Sequence, residues 1–221
     1  MDRDQYLEEE YGDPEKRRKA LEKAWGLRDF EIDLYWRRAS YFWTIIAAIF
    51  AGYFLSASSN REVLETFTVA CLGFIFSLAW YCANRAGSYW QRNWEAHVDI
   101  LEDDIVGPLY KTVRKPTEFR LINLTGPYAF SVTQINVSLS LTVTAIWCVF
   151  VYRSASAIDW GRGAESFAPW FVAGVLLAAT IWMIFVNGPW KVRAKHNADQ
   201  DLEFSRRRTE VTDLIYNPKN D

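Results

Sequence analysis

The chain has 221 residues, enough for one soluble domain or a compact membrane bundle, and carries 25 Lys and Arg against 27 Asp and Glu. That balance gives no reason to expect nucleic-acid binding. Cys71, Cys82 and Cys148 all fall in apolar stretches, where small buried hydrophobes are expected and a disulfide framework is not.

The averages hide a segregation of charge. Residues 41–57, 63–83, 135–152 and 167–187 hold one acid, Glu65, and no base. Each block approaches the roughly 20 apolar residues that a helix needs to cross a bilayer. In lipid every backbone donor and acceptor must be satisfied within the segment, so helix is the expected state. The expected fold is an all-α membrane protein with four transmembrane helices. Aromatic residues flank the blocks as an interfacial belt would: Tyr41 and Trp43, Trp80 and Tyr81, Tyr152, and Trp190.

Residues 1–40 precede the first block. Its first 20 residues are charged and lack an apolar core, so the first span is expected to serve as the insertion signal. Residues 15–40 read as an amphipathic helix running into that span, with Leu21, Trp25, Ile32 and Trp36 at helical spacing. Asp13-Pro14 suits its start, as cap and first-turn proline, and Gly26 is a weak point within it.

The second span continues as a helix to about Ile105, with Trp90, Trp94, His97, Leu101 and Ile105 near one face, and Gly107-Pro108 ends it. Arg92, Glu95, Asp99, Glu102 and Asp103 cover much of the rest. His97, Asp99, Glu102, Asp103 and Asp104 are the densest group of potential ligands or acid–base residues. No metal-binding or catalytic spacing organises them, so a solvated acidic face is expected, and neither a cofactor nor a metal is. Such an acidic surface would also suit a basic one on a neighbouring subunit, such as Arg17-Arg18 or Arg206-Arg207-Arg208. Residues 84–134 thus comprise this helical extension and, over 109–134, an irregular or short-helical crossing back to the membrane.

The third span has the least usual interior. On a helix, Asn136, Ser140 and Thr144 form one stripe, and Gln134, Ser138 and Thr142 form an adjacent one. Small hydroxyl residues suit close helix packing, and the same polar side would suit the wall of a water-filled path. After the fourth span, residues 188–221 form a tail that carries Lys191, Arg193, Lys195 and His196, an interfacial anchor for anionic lipid. Part of the tail, 191 to about 215, reads as another amphipathic helix. Counted by side, 22 Lys and Arg lie in the N-terminal region, the 84–134 segment and the tail, against three in the two short loops. Positive charge stays cytoplasmic, so both termini and the helix extensions are expected there.

Two runs carry a family resemblance. They are Arg28-Asp-Phe-Glu-Ile-Asp-Leu-Tyr-Trp-Arg-Arg-Ala-Ser-Tyr-Phe-Trp43 and Tyr89-Trp-Gln-Arg-Asn-Trp-Glu-Ala-His-Val-Asp-Ile-Leu-Glu-Asp-Asp-Ile-Val-Gly-Pro-Leu-Tyr-Lys111. Together they resemble the RipA-like family of octameric bacterial membrane proteins, over most of residues 15–190. The resemblance implies a homo-octamer in the bacterial cytoplasmic (inner) membrane. It brings no catalytic or binding residue with it. The residues themselves are compatible with assembly. Trp25, Trp36, Trp90, Trp94, His97 and Leu101 on long helix extensions need burial that four helices cannot fully give, so they are expected to include oligomer contacts.

The sequence therefore points to a non-enzymatic homo-oligomeric membrane assembly that contacts lipid, or alternatively to an oligomeric channel lined by the polar side of the third span.

Overall fold

The computed structural model describes residues 6–58, 62–112, 128, 130–161 and 167–186. Among these, four helices are long and apolar enough to cross a membrane. They are α1 (Pro14–Ser58), α2 (Val63–Leu101), α3 (Val132–Ser156) and α4 (Phe167–Ile181), the last prolonged by a π-helical turn, Trp182–Val186. A further π-helical turn, Tyr6–Glu10, precedes α1. Residues 113–127 and 129 of the 84–134 segment, the 162–166 loop and the tail from 187 onward, including the helix expected over 191–215, lie outside the described residues.

Length alone separates the helices into two kinds. At 1.5 Å per residue α1 is about 68 Å long and α2 about 58 Å, roughly twice a bilayer core, whereas α3 is about 38 Å. The first two must therefore project from the membrane on the side where α1 begins and α2 ends. Asp13 caps α1, its carboxylate accepting the N–H groups of Glu15 (3.2 Å) and Lys16 (3.3 Å). α1 runs through Gly26 without a break. At the start of α3, the Ser131 hydroxyl accepts the Gln134 N–H.

α2 is the centre of the bundle and packs against α1, α3 and α4. Two buried clusters hold the chain together. One lies at the far end of the extensions and joins Tyr6, Leu21, Ala24, Val98, Ile100 and Leu101. The other lies at membrane level, where Tyr53, Ala70 and Trp147 meet with Phe50 and Phe150 around them.

Trp147 is fully buried because α2 carries Gly73 against it. A Cβ at residue 73 would fall 2.4 Å from the indole ring. Two other glycines lie within the spans. Gly52 meets only Val69, at an ordinary 3.9 Å, and Gly174 faces open space. Of the cysteines, Cys71 is buried, Cys82 is half-buried and Cys148 is exposed, so Cys148 departs from the expected burial. It sits on the outer side of α3, where lipid solvates a thiol without penalty.

α2 ends at Leu101, one turn before the expected Ile105, with Glu102 as its C-cap. Gly107 takes a left-handed conformation (φ 77°), which turns the chain back toward the helix it has just left.

Candidate functional site

Two polar centres stand out, one at each level of the α1–α2 pair. The first is a clasp at the membrane edge. Tyr35 on α1, Asn84 on α2, and Asn136 and Ser140 on α3 are all buried. The Asn136 amide donates to the Tyr35 hydroxyl at 2.8 Å and reaches Asn84 Oδ1 at 3.4 Å. The Asn84 amide donates to Ser140 Oγ at 3.2 Å and reaches the Asn136 carbonyl at 3.4 Å. Gly87 makes room for the Tyr35 ring, since a Cβ there would stand 2.9 Å from it. Three helices are thus tied by groups that hydrocarbon cannot satisfy.

The two polar stripes of α3 face different ways. Asn136, Ser140 and Thr144 point into the subunit, and the Thr144 hydroxyl donates to the Ser140 carbonyl at 2.8 Å. Gln134, Ser138 and Thr142 are exposed on the outside, with the Thr142 hydroxyl returned to the Ser138 carbonyl at 2.9 Å. Sequence reasoning treated both stripes as one broad face. Asn84 and Tyr35, which decide between them, went unremarked.

The second centre is a hook at the far end of the extensions. Glu102 is fully buried, and its carboxylate accepts the N–H groups of Tyr110 (2.8 Å) and Lys111 (3.1 Å). This corrects the expected solvated acidic face, because a carboxylate satisfied by two backbone donors can leave water. Lys111 bridges back to Asp103 at 2.6 Å. Tyr110 packs edge-on against Trp25, and the Arg28 guanidinium lies over both rings, 5.6 Å from the first's partner Trp25 and 5.0 Å from Tyr110. Arg17 pairs with Asp104 within the chain, whereas the other basic run, Arg206-Arg207-Arg208, lies outside the described residues.

His97 is held in the same region. Its Nδ1 lies 2.7 Å from the Tyr6 hydroxyl, and its ring sits 5.5 Å from Trp94. Burial pushes the His97 imidazolium toward losing its proton. Burial likewise raises the Tyr6 phenol. Asp99 is raised by burial and by Glu102, against the pull of Lys111, with Glu95 and Asp103 adding to the rise.

The six residues expected at oligomer contacts divide. Leu101 is buried in the chain's own core, and Trp25 and His97 pack within the hook. Trp90 and Trp94 are half-buried on α2, and Trp36 is 40% exposed on α1. Among the described residues no group of three or more His, Cys, Asp and Glu is placed to hold a metal ion.

Comparison with known proteins places these features. The model of a family described as the octameric membrane protein family (8xMP) matches residues 18–156, which cover α1 from residue 18, α2, α3, the clasp, and the hook apart from Tyr6 and Arg17. No curated protein and no solved structure matches the chain.

Proposed function

The chain belongs to the octameric membrane protein family, and from that premise we propose that it acts as a non-enzymatic homo-octameric scaffold of the bacterial inner membrane, organising lipid or partners at the cytoplasmic face. The observation that carries this reading is the outer stripe of α3. Gln134, Ser138 and Thr142 lie exposed on a helix that crosses the membrane, while the matching inner stripe is already used by the subunit. Small hydroxyl residues in line let a neighbouring helix approach closely. The family's octameric assembly supplies that neighbour. Trp36 adds an exposed aromatic on the extension, where a ring of subunits can cover it. The excess of Lys and Arg on the extension side supports its cytoplasmic placement.

Cysteine cross-linking tests the reading. With Cys71, Cys82 and Cys148 replaced by Ala, Ser138→Cys and Thr142→Cys are expected to form disulfide-linked dimers on mild oxidation, and Leu139→Cys, exposed on a different side of the same helix, is the comparison expected to cross-link less. A detergent-purified particle should weigh eight copies of the 25.7 kDa chain plus bound detergent. Monomeric particles with no cross-link at either position would refute the assembly role of this stripe.

A second reading gives the same stripe a different neighbour, a water-filled path on the assembly axis. It is favoured by the stripe's lying open in the subunit, and its uncharged residues would make a weakly selective path. Single-channel recording in planar bilayers separates the two, because a sealed scaffold shows no conductance above protein-free membranes.

A further inference from the structure

Between Glu65 and Arg85 α2 carries no charge, so Arg85 is the first charge beyond its apolar stretch, and Arg92 is the next. Tyr81, Arg85 and Arg92 follow at helical spacing on one side of α2, with Tyr89 beside them. Arg85, Tyr89 and Arg92 are exposed. The Arg85 side chain turns back along the helix toward the apolar stretch. Its Nη1 donates to the Tyr81 hydroxyl at 3.1 Å and its guanidinium lies 5.8 Å from that ring.

α1 supplies the contrast at the same depth, where Tyr35 packs against Gly87. There Arg37 bridges to Asp33 at 2.6 Å and Arg38 to Glu31 at 3.2 Å. Among the described residues no carboxylate pairs with Arg85 or Arg92. The acids of α2 come later, beginning with Glu95, one turn past Arg92, whose carboxylate accepts the Gln91 amide at 3.0 Å. Asp99 follows Arg92 by two turns, about 10 Å farther from the membrane. Along one face the order is therefore aromatic, basic, acidic with growing distance from the apolar stretch.

We propose that Tyr81, Arg85, Tyr89 and Arg92 form a docking site for the headgroup of an anionic phospholipid. At the end of an apolar span, the negative charge within reach of a back-turned guanidinium is a lipid phosphate. Arginine matches phosphate with paired N–H donors, and tyrosine belongs at that depth. On α2 the acids begin with Glu95, one turn beyond Arg92, and Asp99 follows a turn farther out, so none lies between Arg85 and Arg92. This deepens the scaffold reading by naming the lipid, and it rests on the chain's lying in a bilayer.

The test uses the full chain in phosphatidylcholine vesicles, with trace spin-labelled phosphatidylglycerol or spin-labelled phosphatidylcholine. The measured quantity is the fraction of each label immobilised by the protein. The native chain is expected to prefer phosphatidylglycerol, and Arg85→Gln with Arg92→Gln to lower that preference by up to about fivefold per arginine. Arg37→Gln, whose arginine already has a carboxylate, should leave it unchanged. Arg85→Lys with Arg92→Lys keeps the charge and should retain part of the preference, which covers the case in which the glutamine pair fails to fold. Equal immobilisation of both lipids by the native chain overturns the proposal. So does an unchanged preference in the glutamine pair, or displacement of the lipid by sodium phosphate but not by sodium chloride of matched ionic strength. Particle mass from the same preparation keeps the two readings apart: a retained preference in a particle that is not octameric strikes the scaffold alone, and an octamer without preference strikes the lipid site alone.

Discussion

α2 and α4 are both apolar enough to span a bilayer, yet 39% of the most apolar stretch of α2 is buried inside the chain, against 6% for α4. In water such a difference would be intolerable, because exposed apolar surface drives collapse. In lipid it costs little, and apolarity does not decide which helix goes to the centre. Shape and hydrogen bonding decide. α2 offers Gly73 to Trp147, Gly87 to Tyr35 and Asn84 to α3. α4 offers Gly174 to open space and returns its Thr180 hydroxyl to its own Leu176 carbonyl at 2.8 Å. Its contact with α2 is an open apolar cleft between residues such as Cys71 and Ile75 on one side and Val172 and Leu176 on the other.

The sharpest way to break this contrast is to give both helices the same side chain. Gly73→Leu should destabilise the fold by about 3 kcal/mol, because the fully buried Trp147 has nowhere to go. Gly174→Leu should change little, and unfolding in mixed micelles with rising dodecyl sulfate would read both. Equal effects would remove the distinction. At the far end of α2, Glu102→Ala strips two backbone donors of their acceptor and should cost about 2–3 kcal/mol. Faster amide exchange at Tyr110 and Lys111 would localise that loss to the hook.

A smaller loss is expected at the clasp. Asn136→Leu should cost about 1 kcal/mol, in keeping with other interhelical hydrogen bonds in membranes. If its unfolding matches the native chain, the clasp does not bind the three helices.

The next effect depends on pH. Burial holds His97 below its ordinary value of 6.5, so the fold binds fewer protons there than the unfolded chain. The stability of the Tyr6 contact is therefore complete above pH 6.5 and falls as the pH drops through the folded-state value. Limited proteolysis near the N-terminus should become faster over that range, and His97→Gln should remove the dependence. The smallest effect belongs to α4, where exposed Leu177→Ala should shift subunit stability by less than about 0.5 kcal/mol.

The sequence made the spans plain because charge is absent from them, and the Asp13 cap was legible from the Asp-Pro pair beside a periodic pattern. The two polar stripes of α3 were legible as lines but not as inside and outside. Each runs amide, serine, threonine, and their orientation depends on Asn84 and Tyr35, which lie 52 and 101 positions from Asn136. Asn84 could have been noticed as an amide placed just beyond the second apolar block. Glu102 was the hardest to foresee. Among five neighbouring acidic and histidine side chains it differs only in where the backbone of Tyr110 and Lys111 returns. Gly107-Pro108 announced a turn there without announcing what the turn would meet. Arg17 and Asp104 show the same limit, being complementary in charge but 87 positions apart.

The unbroken course of α1 through Gly26 makes the helix a lever. Some 40 Å of it projects beyond the span at helical rise, so a tilt of about 10° at the bilayer would swing its tip through about 7 Å. Tyr35 against Gly87 is the fulcrum. Because the hook clamps the far ends of α1 and α2 together, the pair must swing as one arm. A change in membrane thickness that tilts the spans would then be felt as displacement deep in the aqueous phase.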